Sequence, residues 1–156
     1  MEEIPFFATL PQVLKGKNDA QIPLTQVKDD YQFIGLYFSA HWCGPCRAFT
    51  PQLAEFYKRI NSEYKQVEII FVSLDQSEEQ FNSYYATMPW IAVPFDSDTR
   101  EMLGDIYGVQ GIPTLIIFDN NKLSLSFDIN KLLLLIFVIK DLISYLMGNI
   151  PLIFIL

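Results

Sequence analysis

The stretch that decides the fold of this chain is Ala40-His41-Trp42-Cys43-Gly44-Pro45-Cys46-Arg47, which contains both cysteines among the 156 residues. A continuous apolar run over residues 33–38 precedes it, as is typical of a strand covered on both faces. After Pro45, apolar residues recur at three- and four-residue spacing up to Tyr64, which predicts an amphipathic helix ending near Lys65. The two sulfurs are therefore expected where a buried strand gives way to a helix.

Strand and helix patterns continue to alternate after this stretch. Residues 68–73 and 114–118 are apolar runs that predict buried strands, and a return strand is expected at 122–127. Ser77 and Asp98 each precede an acid- or amide-containing first turn, so each is predicted to cap a helix. The inward faces of these two helices are predicted to carry Phe81, Tyr84, Tyr85 and Met88 in the first, and Met102, Leu103, Ile106 and Tyr107 in the second. Gly108 is expected to stop the second helix.

This order of elements predicts the fold class. Short apolar pieces on either side of residues 15–19 suit a small hairpin within residues 1–30. The expected architecture is α/β, with a central mixed β-sheet flanked by helices on both faces and an N-terminal β extension.

Composition and charge exclude several classes of function. The chain is 51% apolar and 15% aromatic, which argues against disorder. Its net charge of −7 disfavours nucleic acid as a partner, because binding to phosphates needs a basic face. Residues 1–5 are acidic where a secretory signal would be basic, so the cytosol or the nucleus is expected. In such a reducing compartment, a closely spaced cysteine pair indicates redox activity or metal binding.

The positions of the two cysteines predict unequal chemical roles. A helix N-terminus offers unpaired N–H groups and a partial positive charge, which stabilise a thiolate at Cys43. Cys46 lies one turn further along the predicted helix and is expected to be more buried. We therefore predict that Cys43 attacks a substrate disulfide and that Cys46 resolves the mixed disulfide that forms.

Other uses of the two cysteines are less consistent with the sequence. A structural zinc site needs about four ligands, and His41 is the only histidine, so no metal site is predicted. An iron–sulfur cluster shared between two chains and a pair of inert thiols remain as alternatives. A cysteine-protease site would need a distant histidine oriented by a further residue, which His41 cannot supply.

Two further positions are candidates for the site. His41 could assist proton transfer or favour the Cys43 thiolate, or it could simply be an exposed loop residue. Pro113 begins a predicted strand directly after Gly111-Ile112, so it is either a cis proline facing the thiols or a plain strand-entry proline.

With these residues in hand, the chain resembles the thioredoxin superfamily and, within it, the tryparedoxin/nucleoredoxin group. The resemblance covers roughly residues 30–119. It rests on Gly35-Leu36-Tyr37-Phe38-Ser39-Ala40, Trp42-Cys43-Gly44-Pro45-Cys46-Arg47, residues 49–57, residues 71–75, residues 88–95 and Gly111-Ile112-Pro113-Thr114-Leu115.

This resemblance implies a thioredoxin fold and a protein-disulfide reductase. It implies that Cys43 is the nucleophile, that Cys46 is the resolving thiol and that Pro113 is in cis. The implied substrate groove is bordered by Trp42, Gly44, Pro45, Ile112 and Pro113. No bound cofactor is implied, and electrons are expected from an upstream dithiol or an NADPH-dependent reductase.

The chain departs from the group at the motif and beneath it. Gly44-Pro45 is the thioredoxin version of a pair that is usually Pro-Pro in tryparedoxins and nucleoredoxins, so the redox potential is not inherited with the resemblance. Thioredoxins place a buried acid where this chain has Tyr37, which is similar to the tryparedoxin solution. Asp75, at a predicted strand end, is either a substitute for that acid or a turn-forming surface residue.

The C-terminal tail departs most from the group. Residues 129–156 are dominated by large aliphatic residues, so the predicted division is an extension at 1–30, a thioredoxin-like domain at 31–128 and a hydrophobic tail at 129–156. The tail is either a helix packed on the sheet over 129–147, a segment foreign to the fold, or a membrane anchor over 132–156. Lys140 and Asp141 weaken the anchor interpretation, because each costs about 3 kcal/mol at the centre of a bilayer.

The sequence thus predicts a thiol–disulfide oxidoreductase that reduces disulfides in client proteins through a Cys43/Cys46 dithiol–disulfide cycle. Its expected partners are those client proteins and an upstream thiol reductant. A redox-gated interaction module and a membrane-tethered form of the same enzyme are the alternatives.

Overall fold

The computed structural model describes residues 5–120 and the backbone of a strand at 152–155. Within these residues the strands are β1 Val13–Lys15, β2 Gln21–Pro23, β3 Phe33–Ser39, β4 Val67–Ser73, β5 Ile91–Ala92, β6 Thr114–Asp119 and β7 Leu152–Ile155. The α-helices are α1 Leu24–Asp30, α2 Gly44–Ile60, α3 Glu78–Tyr85 and α4 Thr99–Ile106, and short 3-10 turns lie at Phe6–Thr9 and Lys17–Asp19.

The strands within the described part of the chain form one mixed sheet in the order β2-β1-β5-β4-β3-β6-β7. Strand β3 pairs in parallel with β4 and antiparallel with β6, and β4 continues in parallel to β5. The β1–β2 hairpin extends the sheet through an antiparallel contact with β5. The predicted α/β class, the mixed sheet and the N-terminal β extension are confirmed.

The two faces of the sheet carry two separate cores. Odd-numbered residues of β3, such as Phe33 and Tyr37, face a core built with α2 and α3. Even-numbered residues, such as Ile34 and Leu36, face a core that includes residues of α1 and α4. Because side chains alternate along a strand, an apolar residue at nearly every position is what burial on both faces requires.

The helix after the cysteines is shorter than the sequence predicts. It ends at Ile60 rather than near Lys65, and the side chain of Tyr64 is 73% exposed. The Asn61 side chain accounts for this end. Its Oδ1 accepts from the backbone N–H groups of Gln66 and Val67, and its Nδ2 donates to the Val67 carbonyl. These bonds turn the chain into β4, which a pattern of apolar residues alone cannot show.

Two expectations for α4 are also wrong. Asp98 has helical dihedral angles and makes no capping hydrogen bond, because a capping side chain needs an extended backbone at that residue. Met102 and Ile106 are exposed, since the buried line of this short helix runs through Leu103, and they lie about 100° and about 60° around the helix from that residue, on opposite sides. Gly108 does stop the helix, with a φ of 63°.

The tail predictions fall largely outside the described residues. The return strand at 122–127, the helix at 129–147 and most of the anchor at 132–156 lie there, and the boundaries at 30 and 128 stay predictions. At 152–155 the backbone pairs in parallel with β6, opposite β3. Among the described residues, no helix is both long and apolar enough to cross a membrane.

A buried carboxylate lies at the start of β4, at the end of the strand remote from the cysteines. Glu68 is 5% exposed, and its Oε1 accepts from the Tyr57 hydroxyl at 3.1 Å and from the Ile69 N–H at 2.9 Å. Burial raises the pKa of Glu68 to about 7, although these hydrogen bonds and Lys65 act in the opposite direction. Glu68 therefore titrates near neutrality in the folded chain.

Ser77 caps its helix and Asp98 does not, and measurements of the free energy of unfolding can test this difference. Ser77 does cap α3, because its Oγ accepts from the Gln80 N–H at 3.2 Å. Ser77→Ala should therefore lower the free energy of unfolding by about 1 kcal/mol, as loss of a cap does. Asp98→Ala should change it by less than about 0.5 kcal/mol, as for other surface substitutions. Urea unfolding checks both, and an equal loss in the two variants would contradict the assignment of the cap.

Glu68 gives a second test, through the pH dependence of stability. Its pKa is raised on folding, so the folded chain binds the proton more tightly and the free energy of unfolding should fall as pH rises from about 4.5 to about 7. The difference in pKa corresponds to about 3 kcal/mol.

Glu68→Gln preserves both hydrogen bonds and removes the charge. At each pH, the free energy of unfolding of this variant is subtracted from that of the native chain, and the difference should show the fall due to Glu68 alone. If the two free energies of unfolding change in parallel from pH 4.5 to 7, the prediction is wrong.

Candidate active site

The two cysteines lie where β3 ends and α2 begins. Cys43 is the N-cap residue of α2, with an extended backbone, and its Sγ accepts from the Cys46 N–H at 3.3 Å. Gly44 is the first residue of the helix and Pro45 lies in its first turn, where a missing N–H costs little. The predicted position of the Cys43 sulfur at a helix N-terminus is therefore observed.

The two thiols differ in access to solvent. No disulfide joins them; Cys43 is 7% exposed, and Cys46 is fully buried. Burial raises the pKa of the Cys46 thiol to about 11, with a further rise from its contact with Cys43. Hydrogen bonds from the Ser39 side chain and the Ala40 backbone oppose that rise. The predicted order of burial is observed, and the deeper thiol is protonated at neutral pH.

The loop that precedes β6 lies against the two sulfurs. The Ile112–Pro113 peptide bond is cis, and the Ile112 carbonyl oxygen is 3.8 Å from Cys43 Sγ. The Ile112 side chain packs against Ala40, Cys43 and Cys46. Of the two interpretations of Pro113, the structure shows the cis proline beside the thiols.

Trp42 directly precedes Cys43 and exposes its aromatic ring to solvent. Its side chain is 54% exposed, and its Nε1 donates to the Leu74 carbonyl at 3.2 Å. Trp42 and Leu74 also line a cavity of about 630 Å³ that extends towards α4. An aromatic ring fixed in this way offers a flat surface next to Cys43.

Asp75 is not a surface residue, so the interpretation as a turn-forming surface residue is wrong, whereas its substitution for the missing acid stays a prediction. It is 2% exposed, and its carboxylate accepts from the His41 backbone N–H at 2.7 Å and from the Ser73 hydroxyl at 2.8 Å. Arg100 donates to the carbonyls of Ser73 and Asp75. Asp75 thus fixes the loop before Cys43 to the end of β4, because a buried carboxylate must be satisfied by nearby donors.

His41 lies at the edge of the site. Its ring contacts the Tyr84 ring edge-on, with 6.0 Å between centroids. Together with Arg47, Thr50 and Tyr84, it lines a cavity of about 320 Å³ beside α2. The structure thus gives His41 a defined neighbour but shows no contact with either sulfur.

A buried chain of hydroxyl groups lies under Cys46, and the sequence reasoning missed most of it. Tyr37 and Tyr84 each hydrogen-bond to Thr50 Oγ1, at 2.8 and 2.6 Å, and Tyr84 also bonds to Ser39 Oγ at 2.8 Å. Burial raises the pKa of Tyr37 and of Tyr84, so both are neutral. Only Tyr37 was singled out from the sequence. Thr50 could have been found from the sequence, because it lies four residues after Cys46 and therefore on the same face of the predicted helix.

Metal binding finds no support in the described residues. No group of three or more His, Cys, Asp or Glu side chains in residues 5–120 is placed to hold a metal ion. What this arrangement can do chemically is to form and open one sulfur–sulfur bond between a thiol that retains slight exposure and one that is fully buried.

Comparison with known proteins agrees with this geometry. A family model described as thioredoxin-like matches residues 30–123. Mouse nucleoredoxin is 54% identical over 116 residues, covering 74% of this chain and 26% of the mouse protein. Tryparedoxin of Trypanosoma brucei brucei is 52% identical over 82 residues, covering 52% of this chain and 56% of that protein. The chain thus matches only about a quarter of the length of mouse nucleoredoxin.

A solved structure extends the likeness to the whole fold. Native tryparedoxin I from Crithidia fasciculata superposes with a TM-score of 0.64 at 34% identity, covering 80% of this chain and 84% of that one. Sequence, fold and the Cys43–Cys46 pair agree: the chain belongs to the thioredoxin-like family of oxidoreductases, in its nucleoredoxin and tryparedoxin branch.

Proposed function

We propose that this chain reduces disulfide bonds in client proteins, with Cys43 as the attacking sulfur and Cys46 as the resolving sulfur. The observation that supports it most directly is the asymmetry of the pair: Cys43 caps the helix and retains some exposure, whereas Cys46 is completely buried one turn deeper. Two chemically equivalent thiols would not need this arrangement.

The first step is attack by the Cys43 thiolate on a client disulfide. A bond forms between Cys43 Sγ and one client sulfur, the client disulfide breaks, and the second client sulfur leaves as a thiolate that takes up a proton. The Cys46 N–H already donates to Cys43 Sγ, which stabilises a negative sulfur without rearrangement.

In the second step, Cys46 loses its proton and attacks Cys43 Sγ. The Cys43–client bond breaks, the client sulfur leaves with the bonding pair and is protonated, and a Cys43–Cys46 disulfide remains. Two electrons have passed from the chain to the client. An upstream dithiol or an NADPH-dependent reductase would return them.

We propose that an extended client segment binds beside Cys43, in contact with Trp42, Gly44, Pro45, Ile112 and Pro113. This is supported by the 54% exposure of Trp42 and by the cis Ile112–Pro113 bond, whose Ile112 carbonyl lies 3.8 Å from Cys43 Sγ. Gly44 presents no side chain, and the space beside it is open. We further propose that the protein acts in the cytosol or nucleus, where thiols stay reduced, and microscopy of a tagged chain tests this.

Trapping of the mixed disulfide tests the assignment of roles. Cys46→Ser should accumulate covalent complexes with client proteins, because Cys43 can still attack but nothing resolves the product. Cys43→Ser should form none above background. With only two cysteines in the chain, non-reducing gel electrophoresis and mass spectrometry identify the linking residue without ambiguity. Complexes formed equally by both variants, or no insulin reduction by the native chain with a competent electron donor, would defeat the proposal.

The groove can be tested separately. Trp42→Ala should reduce kcat/KM for insulin several-fold, and less for a small aromatic disulfide that needs no extended contact. Tyr64→Ala is the control, because it removes a still more exposed aromatic residue beyond the far end of α2 from the sulfurs, and it should leave both values unchanged. A loss of the same size with both substrates would argue against a role of Trp42 in holding the client.

A further inference from the structure

The cavity beside Trp42 connects the reactive turn to one face of α4. Its volume is about 630 Å³, within the range of about 300–1,000 Å³ that is usual for ligand sites. Its lining includes Trp42, which directly precedes Cys43, and three residues of α4, which are Glu101, Gly104 and Asp105. A client segment whose disulfide meets Cys43 can therefore continue into this cavity.

The face of α4 that lines the cavity carries two carboxylates. Glu101, Gly104 and Asp105 share this face, because residues three and four positions apart lie one above the other on a helix. Both acids are exposed, and the hydrogen bonds and ion pairs of residues 5–120 give neither carboxylate a partner. Both are thus available to a ligand in the cavity.

The stability of α4 does not account for these residues. Acids four positions apart repel each other, and Asp105 lies in the last turn, where the helix dipole disfavours a negative charge. Gly104 weakens the helix further, although a Cβ at this position would meet no atom within 4 Å. Together the three residues keep one wall of the cavity acidic and open, at a cost to the helix.

The positive group in the lining is already committed to other partners. Arg100 Nε donates to the Phe95 carbonyl, and its Nη1 donates to the carbonyls of Ser73 and Asp75. Its guanidinium also lies over the Phe95 ring, 4.3 Å from the ring centroid. The lining therefore holds three carboxylates against one guanidinium, and this excess of negative charge attracts a cation.

The remaining part of the lining suits an aliphatic chain. Trp42 is 54% exposed and Leu74 is 39% exposed, and Val109 is half-buried beside them. A lysine or arginine side chain matches both parts of the cavity, because its methylene groups pack on apolar residues while its charged end reaches carboxylates. A neutral aliphatic side chain matches only the apolar part.

We propose that this cavity binds a lysine or arginine side chain that lies close in sequence to the client cysteine, and that Glu101 and Asp105 select for its positive charge. The inference rests on the proposed reduction of client disulfides. It names the class of client, which is a protein with a basic residue beside the disulfide that Cys43 attacks.

Rates of attack on activated peptide disulfides test this preference. The probes are short peptides whose central cysteine is bonded to thionitrobenzoate, with lysine, norleucine or glutamate placed in turn at each flanking position. In the Cys46→Ser chain, the Cys43 thiolate attacks the peptide sulfur and thionitrobenzoate leaves as a coloured thiolate. At the preferred position, the lysine peptide should react about fivefold faster than the norleucine peptide, as two exposed charge pairs would give. The glutamate peptide should be the slowest.

Removal and reversal of the charges on α4 identify the source of the preference. The double variant Glu101→Gln/Asp105→Asn should react equally fast with the lysine and norleucine peptides, and Glu101→Lys/Asp105→Lys should prefer the glutamate peptide. Glu63→Gln is the matched control, because it removes an exposed charge beyond the end of α2, outside the cavity, and it should retain the full preference. Salt at about 1 M should abolish the preference, since the screening length falls to about 3 Å.

Substitutions at Gly104 test the cavity separately from its charge. Gly104→Ala and Gly104→Leu should both raise the urea concentration at the midpoint of unfolding, since both residues have a higher helix propensity than glycine. Only leucine places a bulky side chain in the cavity. Gly104→Leu should therefore lower the rate with the lysine peptide several-fold, and Gly104→Ala should not.

The outcomes separate this inference from the reductase proposal. If the lysine, norleucine and glutamate peptides all react at the same rate, the inference is wrong and the reductase proposal stands. If no peptide reacts at all, attack by Cys43 itself fails and both are overturned. A preference for lysine that persists in the Glu101→Gln/Asp105→Asn variant would also overturn the inference, because the two carboxylates would then not be its source.

Discussion

Strand β3 is paired along both of its edges and covered on both of its faces, and the rest of the structure depends on that enclosure. Its hydrogen bonds run to β4 on one side and to β6 on the other. Every residue of the strand is buried, including Gly35, where a Cβ would lie 3.2 Å from Leu115. A strand enclosed in this way is fixed in register, because a shift by one residue would exchange its two apolar faces. The site that follows it inherits this fixed position.

The three segments that form the site meet at one edge of the sheet for the same reason. Cys43 follows the carboxyl end of β3, Asp75 follows the carboxyl end of the parallel strand β4, and Pro113 precedes the antiparallel strand β6. Parallel neighbours bring their ends together and an antiparallel neighbour brings its start to the same edge. The carboxylate of Asp75 then joins two of these segments, which keeps the loop before Cys43 in place.

Burial of the Cys46 thiol has a cost that nearby polar groups partly offset. Removing a thiolate from water raises its free energy, so Cys46 is protonated at neutral pH. Hydroxyl groups from β3, α2 and α3 form a hydrogen-bonded chain beside it. The Thr50 hydroxyl of this chain donates to the Cys46 carbonyl at 2.9 Å. Hydrogen bonds from the Ser39 side chain and the Ala40 backbone oppose the rise in the pKa of Cys46 that burial causes.

The sequence by itself determined the elements whose signal is local. The apolar run of β3, the helix that starts beside Cys43 and the cap at Ser77 all follow from neighbouring residues, and so does the unequal burial of the two thiols. The resemblance added the cis bond at Pro113, which spacing alone had left open.

Only the tertiary structure decided the contacts between residues far apart in the chain. The sequence around Asp75 is typical of a surface turn, but in the structure its carboxylate accepts from the His41 backbone and its carbonyl accepts from Arg100. The sequence at Asp98 predicts a helix cap, but the backbone there is helical and no capping hydrogen bond forms. Tyr84 was recognised as a core residue but not as a member of a hydroxyl chain, because its partners lie 34 and 45 positions away. Hydrogen bonds act over about 3 Å in space whatever the separation in sequence, so no local pattern can encode which side chains will share them.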